Sequence, residues 1–207
     1  MGDKSKAILE IIKERKTIRR YKDKPIPEKI IRKIIEAGIW GPSVPSFISQ
    51  SQPWKFVVIR NKEFKKEITK IIERKAKSCG AGVNILLSSA KNTIERAPVI
   101  ILIYNTKRLE YLIKERFKVI YSHFVHLIKK AELSAISAAI QNMILVAESL
   151  GIGSCWLDTP LFCEKEINKL LGIKNEKLVA ILTLGYPAEK GKRSKRKPLS
   201  ETVKYIR

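Results

Sequence analysis

The chain has 207 residues with a formal net charge of +22, and its composition is 44% hydrophobic and 30% charged. This composition excludes an intrinsically disordered chain and allows one domain with a sizeable core. Three cysteines without C-x-x-C spacing argue against a disulfide framework or a zinc site, and the N-terminus has no apolar signal segment, so we expect a cytoplasmic protein. The charge requires an anionic partner or a hot habitat, and the abundance of lysine, isoleucine and glutamate resembles thermophile usage.

Hydrophobic periodicity predicts helices and strands that mix without a strict βαβ rhythm. In chain order we expect helices over 4–15 and 28–37, a strand over 56–60, a helix over 63–77, a mixed segment with a glycine loop over 78–89, a buried strand opened by Pro98, an interrupted helix over 107–130, a central helix over 135–150, a strand over 153–157, a short helix over 164–171, a strand over 178–184 and a basic tail segment over 191–197. This order favours an α+β fold.

The densest cluster of cations follows the first predicted helix, over residues 13–24. At the helix exit, Arg15, Lys16 and Arg19 would converge with the hydroxyl of Thr17. Guanidinium groups are planar forks that match phosphate oxygens, and a lysine adds a point charge. The cluster is therefore a candidate phosphate site, and the alternative is a solvated basic surface on a chain that is basic throughout.

Two further segments carry unusual polar residues. Trp-Gly-Pro-Ser at 40–43 and Gln-Pro-Trp at 52–54 bracket a polar loop that could meet a ligand or simply anchor the core. Gln141 and Asn142 stand on the predicted central helix, which Gly-Ile-Gly follows at 151–153. Glycines after a helix and before a strand reverse the Rossmann order, so a nicotinamide dinucleotide fold is disfavoured.

These segments, in this order, resemble the nitroreductase family of FMN-dependent oxidoreductases. The motifs that carry the resemblance extend over nearly the whole chain: Arg-Lys-Thr-Ile-Arg-Arg-Tyr at 15–21, Trp-Gly-Pro-Ser at 40–43, Gln-Pro-Trp at 52–54, Ala-Pro-Val at 97–99, Ala-Ile-Gln-Asn at 139–142, Leu-Gly-Ile-Gly-Ser-Cys-Trp at 150–156, Leu-Gly-Tyr-Pro at 184–187 and Arg-Lys-Pro-Leu at 196–199. The resemblance implies a single nitroreductase-like FMN-binding domain over 1–207, with a central mixed or antiparallel sheet flanked by helices. It also implies a domain-swapped type of homodimer, a variable lid at about 104–130 and a basic tail at 191–207.

The resemblance assigns cofactor-binding roles to particular residues. Four side chains would hold the phosphate, the ribityl chain and the pyrimidine edge of FMN: Arg15, Lys16, Thr17 and Arg19. From the tail, Lys195 or Arg196 would close over the phosphate. Pro42 and Ser43 would reach the flavin of the partner subunit, and backbone groups of Leu157, Asp158 and Thr159 would approach the flavin N5 edge.

The sequence departs from the family pattern at two positions. Gln50 stands where the family has a flavin-contacting Asn, but here in a lengthened loop, with six residues between Ser43 and Gln50. Asp158 replaces a common glycine, and its carboxylate could narrow the pocket or alter the redox potential.

The resemblance implies an enzyme that passes electrons from NADH or NADPH, its co-substrate, through flavin N5 to an electron-poor acceptor such as a nitroaromatic, a quinone or a flavin. The cycle would be ping-pong, and no catalytic side chain is assigned. A specialised flavin-dependent reductase, such as a dehalogenase or a cofactor-processing enzyme, is the alternative. The charge of +22 raises a nucleic-acid binder as a third hypothesis, but no recognised binding motif accompanies it. We expect no specific nucleic acid, no membrane and no metal, because His123 and His126 lack a nearby carboxylate pair.

Overall fold

The computed structural model describes residues 2–43, 52–115 and 121–206 of the chain. Its elements in chain order are α1 (Asp3–Glu14), α2 (Glu28–Ile39), β1 (Trp54–Ile59), α3 (Lys62–Lys77), α4 (Ala81–Arg96), β2 (Val99–Asn105), α5 (Arg108–Glu115), α6 (Tyr121–Ser149), β3 (Gly153–Leu157), a 3-10 helix (Thr159–Cys163), α7 (Glu164–Leu171), β4 (Lys177–Gly185) and α8 (Leu199–Thr202). Among these described helices, none is long and apolar enough to cross a bilayer.

One antiparallel sheet, in the order β1-β2-β4-β3, forms the middle layer of the fold. Its central strand β2 is apolar at successive positions, and neighbouring side chains enter different cores. Ile101 and Ile103 lie in the core beneath α2 and α6, whereas Ile100 and Leu102 lie in the core beneath α3 and α4. A strand covered on both faces needs such a continuous apolar run, so the prediction for the segment after Pro98 is confirmed.

The central helix α6 packs against α2 on one face of the sheet. Its buried residues Ile136, Ile140 and Met143 recur at helical spacing, which places one stripe toward the sheet. The predicted central helix is therefore confirmed, but α6 begins at Tyr121 and is longer than the predicted 135–150.

The prediction of a glycine loop within the mixed segment 78–89 is wrong, because α4 begins at Ala81. Gly80 and Gly82 weaken local helix propensity, but Leu87, Ala90 and Ile94 follow at helical spacing and are buried in the core shared with α3. Tertiary packing of this stripe outweighs the cost of about 1 kcal/mol that a glycine imposes on a helix.

The edge of the sheet at β3 is covered by the segment that follows α1. The backbone N–H of Ile18 donates to the carbonyl of Ser154 at 2.9 Å, and Thr17 pairs with Ser154 in parallel and with Lys192 in antiparallel orientation. Further along, the N–H of Lys22 donates to the carbonyl of Tyr186 at 2.8 Å. These bonds pair an otherwise open edge and fix the basic segment against the sheet.

The first part of the proposed lid, α5, is fastened to the body by the buried residue Glu132 of α6. One carboxylate oxygen of Glu132 accepts the N–H of Leu109 at 2.8 Å, and the other accepts the side-chain amide of Asn105 at 2.9 Å. A carboxylate at a helix N-terminus satisfies amides that the helix itself leaves unpaired. The position of α5 relative to β2 is thereby fixed.

Candidate functional site

A cleft of about 440 Å³ lies where the basic segment, β3, α6 and the C-terminal tail meet. Its polar lining comes from residues that are far apart in sequence, and we call it the arginine cleft after three of them: Arg15, Thr17, Arg19, Gln141, Ser154 and Arg196. Ile12, Ile144 and Trp156 complete its wall with apolar surface. A volume of this size falls within the range of small-molecule sites, about 300 to 1,000 Å³.

The conformation of the basic segment decides which side chains enter the arginine cleft. Arg15 ends α1 with φ −52° and ψ 126°, so the chain leaves the helix in an extended form. Side chains of extended backbone alternate in direction, which puts Arg15, Thr17 and Arg19 at the cleft and buries Ile18 in the core.

Lys16 does not line the arginine cleft, although we expected it beside Arg15 and Arg19. It lies against Gly191, where an added Cβ would come within 2.9 Å of the Lys16 Cβ. Gly191 also has φ +63°, a conformation that other residues rarely adopt. The tail can therefore pass close to the basic segment only because this position carries no side chain.

Glu189 holds the backbone of the basic segment in place. One oxygen of its carboxylate accepts the N–H of Arg19 at 2.7 Å and the N–H of Arg20 at 3.2 Å. This carboxylate therefore binds amides rather than guanidinium groups. Within the part of the chain that the structure describes, no acidic residue lines the arginine cleft.

The guanidinium groups of Arg15, Arg19 and Arg196 carry charge that no carboxylate of the described residues pairs with. Among the residues that the structure describes, none of the three is within 4.0 Å of a carboxylate. Three like charges around one small volume repel each other, and an anion bound between them removes that repulsion. The cleft thus has the electrostatics of a phosphate or carboxylate site.

The side chain of Arg196 is held by hydrogen bonds to neighbouring residues of the tail. Its guanidinium donates to the hydroxyl of Ser194 and, at 3.3 Å, to the carbonyls of Ser194 and Lys195. Lys195, the other tail residue predicted for the phosphate, lies outside the cleft lining. Of these two tail residues the cleft lining includes Arg196 alone, and contact with a phosphate stays a prediction.

Pro42 and Ser43 lie at the end of the α2 region and do not line the arginine cleft. Both are exposed, and the neighbouring Trp40 is 79% exposed. Gly41 brings this loop onto α6, because a Cβ there would approach the Ala139 backbone to 2.9 Å. Gln50, the third residue predicted in this region, falls outside the described residues.

Leu157, Asp158 and Thr159 connect β3 to the 3-10 helix. The side chain of Leu157 is buried in the core beneath α3 and α4, so only its backbone is available to a ligand. Asp158 is exposed, and its carboxylate accepts the indole N–H of Trp156 at 2.6 Å. Because Trp156 lines the arginine cleft, Asp158 sets the orientation of one wall of the site.

Cys155 lies beside the cleft but is a core residue. It is 1% exposed, and burial raises the pKa of its thiol to about 11. A thiol with this pKa is protonated near neutral pH and is a poor nucleophile. Among the described side chains, no group of three or more His, Cys, Asp or Glu is arranged to hold a metal ion.

Five lining residues were not predicted as ligand contacts: Ile12, Gln141, Ile144, Ser154 and Trp156. Gln141 was singled out in the sequence together with Asn142 as a polar residue on the central helix, but no ligand contact was assigned to it. Ser154 and Trp156 look like ordinary strand residues, and only the topology of the sheet edge shows that they reach the cleft.

Comparison with known proteins identifies the family. The model of the nitroreductase family matches residues 12–186. The chain belongs to the nitroreductase family. The prediction made from the motifs is thereby confirmed, as is the α+β fold.

Individual relatives and solved structures show how far the similarity extends. A provisionally named NADH dehydrogenase/NAD(P)H nitroreductase of Methanothermobacter thermautotrophicus is 31% identical over 88% of this chain and 78% of its own length. The iodotyrosine deiodinase of Nematostella vectensis is 30% identical over 98% of this chain and 76% of its own. A crystal structure of a provisionally named nitroreductase from Desulfovibrio desulfuricans, in complex with FMN, superposes with a TM-score of 0.69 at 26% identity, covering 97% and 96% of the two chains. The predicted class, an NAD(P)H-dependent oxidoreductase with FMN, agrees with these names.

Proposed function

We propose that this chain is a flavin-dependent oxidoreductase that binds FMN with its phosphate in the arginine cleft. The observation that carries the proposal is the convergence of Arg15, Arg19 and Arg196 without a carboxylate partner among the described residues. An arginine fork gives bidentate, charge-assisted hydrogen bonds to a phosphate, and the Thr17 hydroxyl adds a neutral donor. The donor set therefore fits the phosphate of FMN.

The remaining lining residues suit the rest of a flavin mononucleotide. Gln141 offers both amide donors and a carbonyl acceptor for ribityl hydroxyls, and Ile144 and Trp156 offer apolar surface for a ring. Lys16 and Lys195 lie outside the cleft and would contribute charge rather than direct contact.

FMN held in this site would supply the redox chemistry of the proposed ping-pong cycle, in which NADH or NADPH is the hydride donor and an electron-poor compound is the acceptor. The role of the protein is to position the cofactor and to provide a fixed positive field, which favours negative charge on the ligand. Leu157, Asp158 and Thr159 are proposed to approach the flavin at the N5 edge through backbone groups. We assign no general acid or base to a side chain.

We further propose that the functional unit is a homodimer, with Pro42, Ser43 and Gln50 reaching the flavin of the partner subunit. The support is exposed apolar surface: α1 has no buried residue, yet it carries Ile8 and Leu9 with 56% and 40% of their surface exposed. The tail exposes Tyr205 and Ile206 by 82% and 89%. Ile8 and Leu9 are adjacent on one helix, and exposed apolar surface of this kind is expected at an interaction site.

Light scattering with size-exclusion chromatography tests the dimer. Ile8→Asp with Leu9→Asp should give a monomer of about half the native mass, whereas the matched change Phe64→Asp on the outer surface of α3 should leave a dimer. A wild-type protein that is monomeric with FMN bound would overturn this part of the proposal.

The absorption spectrum and turnover test the central proposal. Purified protein should show flavin absorption after addition of FMN and gel filtration, and it should oxidise NADH or NADPH when a nitroaromatic or a quinone is present. Protein that stays colourless after addition of FMN contradicts the proposal.

Reductive dehalogenation is a second candidate, because the deiodinase of Nematostella vectensis aligns over 98% of this chain. The proposed lid at 104–130 is where we expect the acceptor to be selected, and Tyr111 on α5 is 58% exposed. Release of iodide from diiodotyrosine, with no turnover of nitroaromatics, would favour this candidate. Turnover of nitroaromatics alone would favour the first.

A further inference from the structure

Two clefts on the α3 and α4 side of the sheet are larger than the arginine cleft. The first, of about 770 Å³, lies among residues 21–26, the start of α3 and the end of α4. The second, of about 790 Å³, lies between α4, the basic segment and the tail. Arg96 lines both clefts and joins them, and the second cleft also shares Thr17 and Arg19 with the arginine cleft. We call this surface the basic face, and its main cations are Arg20, Lys62, Lys65, Lys66, Arg96 and Lys192.

Positive charge on the basic face exceeds negative charge by a wide margin. Six Lys or Arg line the first cleft and five line the second, with Arg96 in both, so there are ten cations against four carboxylates. Of the ten, Arg60 is paired with Glu28 at 3.1 Å and Arg19 also lines the arginine cleft. Two of these carboxylates have other partners: Glu189 accepts backbone N–H groups, and Glu95 lies 3.9 Å from Lys91. The excess of positive charge therefore suits this surface to an anionic ligand.

Individual cations on the basic face lack partners of opposite charge. Within the described residues, Arg20, Lys66 and Arg96 have no carboxylate within 4.0 Å. Each of the three is exposed. Their charges are therefore available to a ligand without the disruption of an existing ion pair.

Lys65 places a buried ammonium group in the first cleft. It is 7% exposed, and its Nζ donates to the carbonyl of Ala97 at 2.5 Å and more weakly to that of Pro98 at 3.5 Å. Burial lowers the pKa of Lys65, and the nearby charge of Lys62 lowers it further. A bound anion would offset both effects, because it favours the charged form of lysine.

The basic face offers donors for phosphates but no ring for bases. Ser89 and Asn92 of α4 add neutral hydrogen-bonding groups to the second cleft. Tyr21, the sole aromatic residue that lines either cleft within the described chain, is buried, and its hydroxyl is hydrogen-bonded to the Thr183 hydroxyl at 2.7 Å. Recognition of single-stranded nucleic acid relies on stacking of bases on exposed aromatic rings.

We propose that the basic face binds the phosphate backbone of double-stranded nucleic acid without sequence preference. Contacts with successive phosphates explain why the cations line two contiguous clefts rather than one compact pocket. Backbone contacts position a protein on a duplex but carry no sequence information, which agrees with the absence of a reading motif. This inference does not depend on the proposed flavin chemistry.

Fluorescence anisotropy with a labelled duplex of mixed sequence tests the proposal on the full-length protein. The variant Lys66→Glu with Arg96→Glu removes two cations from the basic face, and Lys29→Glu with Lys33→Glu makes the same change in net charge on exposed residues of α2. We expect at least a 30-fold loss of affinity for the first variant and less than a 3-fold loss for the second. The dependence of log affinity on log salt should also become less steep by about 2 for the first variant, because each phosphate that the protein no longer neutralises reduces the slope by about one unit.

Equal losses for the two variants would overturn the proposal, since they would show that net charge alone attracts the duplex. Complete displacement of the duplex by tripolyphosphate at an equal concentration of phosphate groups would also overturn it, in favour of a small anion. Tighter binding to vesicles of anionic lipid than to the duplex would likewise overturn the proposal and would indicate a membrane surface as the partner. Circular dichroism and thermal melting of each variant show whether it is folded.

Discussion

The arginine cleft and the basic face are both cationic, but they differ in size, in lining and in position. The arginine cleft is about 440 Å³, and apolar residues of α1, α6 and β3 form part of its wall. The basic face consists of two wider clefts of about 770 and 790 Å³, and no exposed aromatic side chain lines them within the described residues. A small site with an apolar wall suits one phosphate attached to a ring, whereas a broad polar site suits a chain of phosphates.

One short segment serves both regions. Arg15 lines only the arginine cleft and Arg20 lines only the basic face, whereas Thr17 and Arg19 line both. The segment is extended beside β3, so successive side chains diverge. High net charge alone therefore does not define a site, because the backbone conformation decides which ligand each cation can meet.

Ionic strength should separate the two regions by the largest margin. If the basic face makes six to ten phosphate contacts, its affinity for duplex DNA should fall by about 1,000-fold to 100,000-fold between 50 and 200 mM salt. FMN carries one phosphate, so its affinity should change by less than about tenfold over the same range. Parallel titrations of both ligands measure this, and equal salt dependence would show that the regions are not distinct.

Single substitutions in the basic segment should affect FMN binding, duplex binding or both, according to which cleft each side chain lines. Arg15→Ala should weaken FMN binding by about 10-fold to 150-fold. This range corresponds to the loss of one hydrogen bond to a charged group, which is worth about 1.5–3 kcal/mol. Arg20→Ala should weaken only duplex binding, and Arg19→Ala should weaken both. Affinities of the three variants for both ligands, measured at one salt concentration, check the division. An FMN affinity that is unchanged in Arg15→Ala would break it.

Gln141→Ala should have the smallest effect. Loss of one neutral hydrogen bond costs about 0.5–1.5 kcal/mol, so the FMN dissociation constant should rise about 2-fold to 13-fold. Duplex binding should be unaffected, because Gln141 lies on α6 at the other side of the sheet. Fluorescence quenching of FMN measures the first effect, and a comparable loss of duplex affinity would contradict the placement of the two sites.

Much of the fold follows from periodicity and from the ordered motifs. The helix over 164–171 and the strand over 153–157 have the predicted limits, because clear polar or glycine boundaries flank them. The start of α4 was missed, because two glycines at its N-terminal end conceal a stripe that is buried only against α3. Local propensity cannot report such packing.

Part of the candidate site could be predicted from the sequence. Arg15, Thr17, Arg19 and Arg196 were predicted, and the structure brings them together from opposite ends of the chain. Lys16 was placed with them because they are adjacent in sequence, whereas the extended backbone directs it toward Gly191. Trp156 was missed, because its role depends on the pairing of the basic segment with the sheet edge at Ser154.

The central claim is that the arginine cleft binds the phosphate of FMN. Its most direct test compares the affinities for FMN and riboflavin, which differ by that phosphate. The comparison is made for the wild type, for the double variant Arg15→Ala with Arg19→Ala, and for the control double variant Lys13→Ala with Lys22→Ala. Lys13 and Lys22 are exposed, belong to the same basic cluster and do not line the cleft. We predict that the arginine variant loses about 100-fold to 10,000-fold in FMN affinity and binds riboflavin as the wild type does, whereas the control keeps its preference for FMN. A full preference for FMN in the arginine variant would contradict the account.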